Sequence, residues 1–300
     1  MYTGSLDKRT FFMPKILGVH GVANTFLTAP QLTSSWFDAL QGGIEEAGYP
    51  AIALGDLTVV AYGSLFRPDG TRGSSDRASI EGDWEIGLLE AWWRAAAQLR
   101  GKDDFAEDPG IESPEFSGRA RTPSFVQSAL RELSKSRYFR TIGPAILISE
   151  LRQVRLFLSD AAFKEAILKR FAAKMTPEIR VVIGHSLGSV VAYEALCTDH
   201  PWRVDTFVTV GSPLGIRNVV FDLLTPRPVN GRGERPKARR WVNISDRGDL
   251  VALEKELASL FDGVEDIPMH NGWRSHDVIR YLTAAETGKA VALGLGTSPR

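Results

Sequence analysis

Short apolar runs recur along the chain, and each of them predicts a buried β-strand. The runs have the length and the β-branched content of strands that are covered on both faces. They cover residues 15–20, 57–62, 180–184, 206–210 and 240–244. The first run ends at Gly21, where a turn is expected.

Amphipathic patterns with helical spacing lie between these runs. In the first pattern, Trp36 and Leu40 share one face with other apolar residues, and Pro30 suits the first turn of a helix. The predicted helices cover residues 30–47, 189–197, 253–261 and 278–290. Strands that alternate with helices predict the α/β class, with a mostly parallel central sheet that carries helices on both faces.

The alternation is interrupted between residues 64 and 176, where no apolar run predicts a strand. Helical patterns lie instead near residues 83–100, 124–139, 144–159 and 161–174. A loop rich in Asp, Glu, Pro, Gly and Ser is expected between the first two, over residues 101–123. We therefore predict one domain over residues 1–300, with a helical cap insertion at 64–176.

Composition and charge restrict the function classes. The chain has 36 Lys and Arg residues and 36 Asp and Glu residues, so its total charge gives no reason to expect a nucleic-acid partner. The single cysteine, Cys197, cannot form an internal disulfide. Residues 1–13 lack the apolar region of a signal peptide, and runs such as 145–148 are too short to cross a bilayer, so we expect a cytoplasmic protein.

The run from Gly184 to Gly188 contains a Gly-x-Ser-x-Gly motif with Ser186 at its centre. A strand is predicted immediately before the motif and a helix immediately after it, which is the setting of a nucleophilic serine on a sharp turn. Such a turn projects the hydroxyl, and side chains at the two glycine positions would collide with the strand and the helix. The alternative is an ordinary glycine-rich turn with a capping serine.

Five segments of the chain carry a resemblance to a known family. They are residues 20–24, 184–188, 211–214, 243–251 and 275–277. In this order they resemble the α/β-hydrolase superfamily, and within it the lipases and esterases. The resemblance implies the α/β-hydrolase fold and a serine hydrolase. Caps in this family usually follow a later strand, so the shape of the cap and the substrate stay open.

The resemblance also orders the catalytic groups along the chain as serine, then acid, then histidine. His276 stands just before the last predicted helix, where the family places its base, and His270 is the alternate. Asp249 precedes Val251 by a spacing that related lipases share, and Asp246 is the alternate acid. The other interpretation of Asp249 is the N-cap of the helix that is predicted to follow it.

Two backbone N–H groups are expected to form an oxyanion hole. By the resemblance, they are those of Leu187, which follows the nucleophile, and of Val22, which follows the first strand. Gly21 lets the backbone approach the substrate carbonyl. His20 and Asn24 are predicted to brace this loop by hydrogen bonds.

Other signals have more ordinary explanations. Trp84, Trp92 and Trp93 could line an acyl-chain pocket or touch a membrane, but at this spacing we expect an amphipathic helix that packs on the core. The basic stretch over residues 227–240 is expected to be solvated. No His or Cys cluster has metal-ligand spacing, so we expect no metal, and the predicted chemistry needs no cofactor.

Together these features predict a hydrolase that cleaves a carboxylic ester through an acyl-enzyme on Ser186, with a small molecule or a lipid ester as its substrate. An acyltransferase or a thioesterase would use the same groups and stays open. A non-catalytic protein that binds an apolar ligand also stays open. The sequence leaves peripheral membrane contact and the oligomeric state undecided.

Overall fold

Six parallel strands form the central sheet of the computed structural model, which describes residues 13–22, 24–67, 87, 89, 90, 92 and 153–300. The strands are β1 (Ile16–Val19), β2 (Leu57–Val60), β3 (Val181–His185), β4 (Val204–Val210), β5 (Ala238–Asp246) and β6 (Val264–Met269). Their order across the sheet is β2-β1-β3-β4-β5-β6, and every neighbouring pair is parallel. The protein therefore belongs to the α/β class, as the sequence predicts.

Helices cover both faces of the sheet. They are α1 (Ala29–Glu46), α2 (Ala161–Ala172), α3 (Leu187–Cys197), α4 (Val278–Thr283) and α5 (Ala285–Gly294), with 3-10 turns at Gly63–Phe66, Phe221–Leu223, Leu257–Ser259 and Gly272–Arg274. In β1, Leu17 lies in the core that includes α2 and α3, whereas Ile16 lies in the core that includes α1, α4 and α5. Successive side chains of a strand point to opposite faces, so a doubly covered sheet requires the continuous apolar runs of the sequence.

The carboxyl ends of all six strands meet at one edge of the sheet, because the strands are parallel. Segments that are far apart in the sequence therefore converge at this edge. They contain Gly21 after β1, Ser186 after β3, Gly211 after β4 and Asp249 after β5. In open parallel sheets, this is the edge at which ligands bind.

The predicted helix over residues 253–261 is wrong, because the structure has only the short turn Leu257–Ser259 there. The Asp266 carboxylate accepts hydrogen bonds at 2.9 Å from the amides of Leu257 and Ala258. The Asp266 side chain thus accepts from two amides that, in a continuous helix, would donate to main-chain carbonyls of the preceding turn. The apolar spacing of this segment reflects a packed loop, in which Leu257 is buried.

Two further differences concern the division of one predicted helix and one additional strand. The predicted helix over residues 278–290 is divided into α4 and α5 at Ala284, whose ψ is 139°. Carbonyl oxygens at the break lie against Gly43 of α1, where a Cβ would be 2.3 Å from the Leu282 oxygen. The sequence predicts no strand at β6, which is an edge strand with largely half-exposed residues and contains Pro268.

Part of the predicted insertion lies within the described residues. Helix α2 corresponds to the helical pattern at 161–174, and residues 153–159 are helical, as the pattern at 144–159 predicts. The rest of that pattern, the patterns near 83–100 and 124–139, and the loop at 101–123 lie outside the described residues, apart from four positions. In the part of the chain that the structure describes, no helix has the length and apolar content to cross a membrane.

Candidate active site

Ser186 occupies a sharp turn between β3 and α3. Its φ of 51° and ψ of −129° lie in a region that residues with a side chain rarely adopt. Its N–H donates to the Val210 carbonyl at 3.2 Å, and its carbonyl accepts from the Ser189 amide at 2.9 Å. Main-chain hydrogen bonds therefore hold the turn on both sides, and the hydroxyl of Ser186 does not serve as a helix cap.

Both glycines of the motif lie where two segments of backbone approach each other closely. A Cβ at Gly184 would be 2.5 Å from Ser189 Cα, and a Cβ at Gly188 would be 2.1 Å from the Val19 carbonyl oxygen. The absence of a side chain at Gly188 lets α3 begin directly against the end of β1. The turn thus depends on these two glycines for packing.

Replacing Gly188 with alanine should destabilise the fold, because the new methyl group would meet the main-chain oxygens of Val19 and His20. We expect the free energy of unfolding in urea to fall by about 3 kcal/mol or more. Gly42→Ala is the matched control: in α1, a Cβ at Gly42 meets no described atom within 4 Å, and alanine should add about 0.5–1 kcal/mol. Equal stability of Gly188→Ala and wild type would contradict the close approach.

A buried carboxylate and a buried histidine share a hydrogen bond at the same edge of the sheet. Asp249 Oδ2 and His276 Nδ1 are 2.7 Å apart, and their side chains are 0% and 8% exposed. Gly211 makes room for both, since a Cβ there would be 2.9 Å from Asp249 Oδ2 and 3.0 Å from His276 Nδ1. A carboxylate that accepts from Nδ1–H leaves Nε2 of the neutral ring as the proton acceptor.

Four donors surround the Asp249 carboxylate. They are the amides of Val251 (2.8 Å) and Ala252 (3.2 Å) at Oδ1, and His276 and the Tyr281 hydroxyl (2.7 Å each) at Oδ2. Burial acts to raise the pKa of Asp249. The charge and hydrogen bond of His276, the charge of Lys255 and the Tyr281 hydroxyl outweigh burial, so the pKa of this carboxyl lies well below its usual range. The group therefore stays ionised at neutral pH.

His185, the residue before Ser186, holds the main chain of His276. Its Nε2 donates to the His276 carbonyl oxygen at 3.0 Å, and the two ring centroids are 4.7 Å apart. Burial first, and then the neighbouring His276, lower the pKa of His185 to about 3, so its ring is neutral. The sequence identifies His185 only as part of the motif. The contact joins positions that are 91 residues apart, so no local signal predicts it.

The loop after β1 lies directly against Ser186. A Cβ at Gly21 would be 2.7 Å from Ser186 Cβ. Asn24 Nδ2 donates to the carbonyls of Gly21 at 3.2 Å and of Val22 at 2.8 Å. The C=O and N–H of a trans peptide point in opposite directions, so this hold on the Gly21 carbonyl turns the Val22 N–H away from Asn24. Leu187 begins α3, and its N–H is one of the amides that lack an acceptor within a helix.

His20 is buried in the same loop. Its Nδ1 donates to the Gly21 carbonyl at 2.5 Å, and its Nε2 accepts from the Tyr62 amide at 3.3 Å. The ring stacks on Tyr62 with centroids 4.1 Å apart, and the Tyr62 hydroxyl donates to the His20 carbonyl. Burial lowers the pKa of His20 to about 4, so the ring is neutral and takes one fixed tautomer. His20 and Asn24 therefore both hydrogen-bond to the Gly21 carbonyl.

The alternate residues Asp246 and His270 are arranged differently. Asp246 is fully buried, but its carboxylate accepts hydrogen bonds from two main-chain amides, one of them that of Gly248 at 2.6 Å. His270 Nδ1 is 3.8 Å from Asp246 Oδ2, and the His270 side chain is 80% exposed. Asp246 thus closes the turn between β5 and Asp249. The structure pairs Asp249, not Asp246, with His276.

A small apolar pocket of about 10 Å³ has Ser186 in its wall. The other described lining residues are Val22, Trp92, Val154, Pro213, Ile216, Val220 and Val251. None of these side chains carries a charge. Trp92 and Val154 belong to the predicted insertion, so part of that insertion reaches the site.

Comparison of the chain with protein-family models, with curated proteins and with solved structures found no match. Among the described residues, no group of three or more His, Cys, Asp and Glu side chains is placed to hold a metal ion. The geometry around Ser186 is therefore the basis of the functional proposal.

Proposed function

We propose that the protein is a serine hydrolase with the α/β-hydrolase fold, in which Ser186 is the nucleophile, His276 the base and Asp249 the acid that orients it. One observation carries the proposal: the buried pair of Asp249 and His276 lies at the sheet edge where Ser186 occupies its strained turn. The chain order of serine, acid and histidine is the one typical of this fold. Within this class, we propose a carboxylic ester hydrolase of the esterase or lipase type.

The proposed reaction has two stages. His276 Nε2 takes the hydroxyl proton of Ser186 as the serine oxygen attacks the ester carbonyl, and Asp249 stabilises the imidazolium. The tetrahedral intermediate then collapses, the bond to the alcohol breaks, and His276 gives its proton to the departing alcohol. In the second stage His276 activates a water molecule, which attacks the acyl-enzyme and releases the carboxylic acid and free Ser186.

The amides of Val22 and Leu187 are the proposed donors to the oxyanion of the intermediate. Contact between Gly21 and Ser186 supports the first, as does the orientation that Asn24 gives to the Gly21–Val22 peptide. The second is supported by its position at the beginning of α3, where unpaired N–H groups and the helix dipole favour negative charge.

The pocket of about 10 Å³ has room for no more than about one water molecule, so its apolar lining supports only an apolar contact beside the ester carbonyl. A charge buried there would lack a partner among the described lining residues, and an unpaired buried charge is costly. Trp92 and Val154 support the predicted cap, because residues of the insertion form part of the pocket wall.

A panel of p-nitrophenyl esters with acyl chains from acetyl to palmitoyl tests the proposed function. We expect p-nitrophenol and free carboxylic acid as products, with an added alcohol or thiol left unmodified. Transfer of the acyl group to the added acceptor would indicate an acyltransferase. Binding of an apolar fluorescent probe without turnover of any ester or thioester would indicate a binding protein and contradict the proposal.

A further inference from the structure

Tyr281 lies in α4, five residues after His276, and its side chain is fully buried. Its hydroxyl donates to Asp249 Oδ2 at 2.7 Å and accepts from the Asp246 amide at 2.9 Å. Its ring packs beside Gly211, where a Cβ would be 3.0 Å from Tyr281 Cε2. The phenol is thus fixed at both ends, by packing along the ring and by hydrogen bonds at the oxygen.

The direction of these hydrogen bonds follows from the donors. The Asp246 group is an N–H, so the Tyr281 oxygen must accept from it. The hydroxyl proton therefore points to Asp249, the acceptor at 2.7 Å. Burial, followed by the charge of Asp249, raises the pKa of Tyr281 well above its usual value, so the phenol keeps its proton and remains a donor.

Two donors share Asp249 Oδ2. His276 donates from the segment before α4, and Tyr281 donates from α4 itself. Oδ1 is held separately by two main-chain amides after β5. With all four donors in place, the carboxylate cannot rotate without losing hydrogen bonds in a buried site.

We propose that Tyr281 is a positioning residue for the hydrolysis, which connects the Asp249 carboxylate to the end of β5 and keeps Oδ2 aligned with His276. The inference rests on the proposed function, because it assigns Tyr281 a role through Asp249 and His276. Tyr281 is not in the pocket lining, and its effect on the reaction passes through these two residues.

Three other groups lie near the Asp249 carboxylate, and Tyr281→Phe does not alter them. Lys255 donates to the Asp249 carbonyl, Asp246 lies at the other side of the turn, and His185 is neutral beside His276. None of these contacts involves the Tyr281 hydroxyl oxygen. The only part of Asp246 that contacts this oxygen is its main-chain amide, which the substitution does not change. Tyr281→Phe therefore removes one donor from Oδ2 and leaves the charged neighbours in place.

The test compares Tyr281→Phe with Tyr193→Phe. Tyr193 is also buried and its hydroxyl donates to a main-chain carbonyl, that of Glu234, at 2.8 Å. For Tyr281→Phe we expect kcat to fall about tenfold with KM within twofold of wild type. The acidic midpoint of the kcat/KM profile should move to higher pH, because Oδ2 without its second donor would hold the proton on His276 more strongly. Tyr193→Phe should leave kcat and the pH profile unchanged.

A second variant retains the phenol and strengthens its hydrogen bond to Asp249, whereas Tyr281→Phe removes that bond. Site-specific Tyr281→3-fluorotyrosine makes the hydroxyl a stronger donor, so the acidic midpoint should move to lower pH. If Tyr281→Phe does not fold, this variant carries the test. Wild-type kcat and an unshifted pH profile in either variant would overturn the inference, whatever the change in thermal stability.

An NMR readout separates failure of this inference from failure of the proposed function. The proton on His276 Nδ1 should resonate further downfield in Tyr281→Phe, because its acceptor Oδ2 gains electron density, and this signal requires no turnover. An unchanged signal would overturn the role of Tyr281. Absence of ester hydrolysis in the wild type, with the expected NMR shift, would overturn the proposed function alone.

Discussion

Ser186→Ala is expected to reduce kcat by at least about 10⁴-fold for every ester that the wild-type protein cleaves. The alanine has no oxygen with which to form an acyl-enzyme, and no other described residue in the pocket lining carries a nucleophilic side chain. Steady-state kinetics with the best p-nitrophenyl ester measure the effect. Substrate binding should be retained, because the apolar lining is unchanged.

The fold of this variant should be intact, since the Ser186 hydroxyl does not cap α3. We expect the Tm to lie within about 2 °C of wild type. Ser245→Ala is the control: this serine is also buried, and its hydroxyl donates to the Lys255 carbonyl at 3.2 Å. Retention of more than a tenth of the activity in folded Ser186→Ala would contradict its role as the nucleophile.

Asp249→Asn is expected to lower kcat by about 10³- to 10⁴-fold with little change in KM. An asparagine can present its NH₂ group to His276 Nδ1, which favours the tautomer with a proton on Nε2. The ring then cannot accept the Ser186 proton. The negative charge that is proposed to stabilise the imidazolium is lost as well. Steady-state kinetics with the same ester measure both parameters.

Asp246→Asn is the matched control for the acid. Its carboxylate accepts from the amides of Gly248 and Asn271 and closes a main-chain turn, so we expect a loss of stability with a less than tenfold loss of kcat. The reverse result, in which Asp246→Asn abolishes activity and Asp249→Asn preserves it, would contradict the assignment of the acid.

Much of the sheet could be predicted from the sequence, because a parallel sheet that is covered on both faces requires continuous apolar strands. The runs at 15–20 and 180–184 place β1 and β3, and the motif at 184–188 places the turn that carries Ser186. The edge strand β6 escaped prediction, since its residues are largely half-exposed. The helix predicted at 253–261 is wrong although its apolar residues have helical spacing. The amides of Leu257 and Ala258 donate to the Asp266 side chain and not to carbonyls of a helix.

The sequence predicted the candidate residues of the site, but it left open which of the two aspartates lies beside the histidine. Asp246 and Asp249 are both buried and lie within one turn after β5, in which the Asp249 amide donates to the Asp246 carbonyl. Asp249 Oδ2 lies beside Gly211 and His276, whereas the Asp246 carboxylate accepts from the main-chain amides of Gly248 and Asn271. Spacing along the chain does not contain that information.

The hydrogen bonds of Tyr281 to Asp249 and of His185 to His276 depend on the tertiary structure alone. Tyr281 reaches a carboxylate 32 residues earlier in the chain, and His185 reaches a carbonyl 91 residues later. Each contact exists because the ends of β3 and β5 meet the segment before α4 and α4 itself at one edge of the sheet. A tyrosine in an amphipathic helix and a histidine within a motif give no sign of these partners.

Covalent labelling with a fluorophosphonate tests the central claim most directly. Mass spectrometry of the digested wild-type protein should find one adduct, on Ser186, and Ser186→Ala should not be labelled. Labelling should be at least about 100-fold slower in His276→Ala and unchanged in His270→Ala. Absence of an adduct on Ser186 in the folded wild type, or equal labelling of Ser186→Ala, would contradict the assignment of Ser186 as an activated nucleophile.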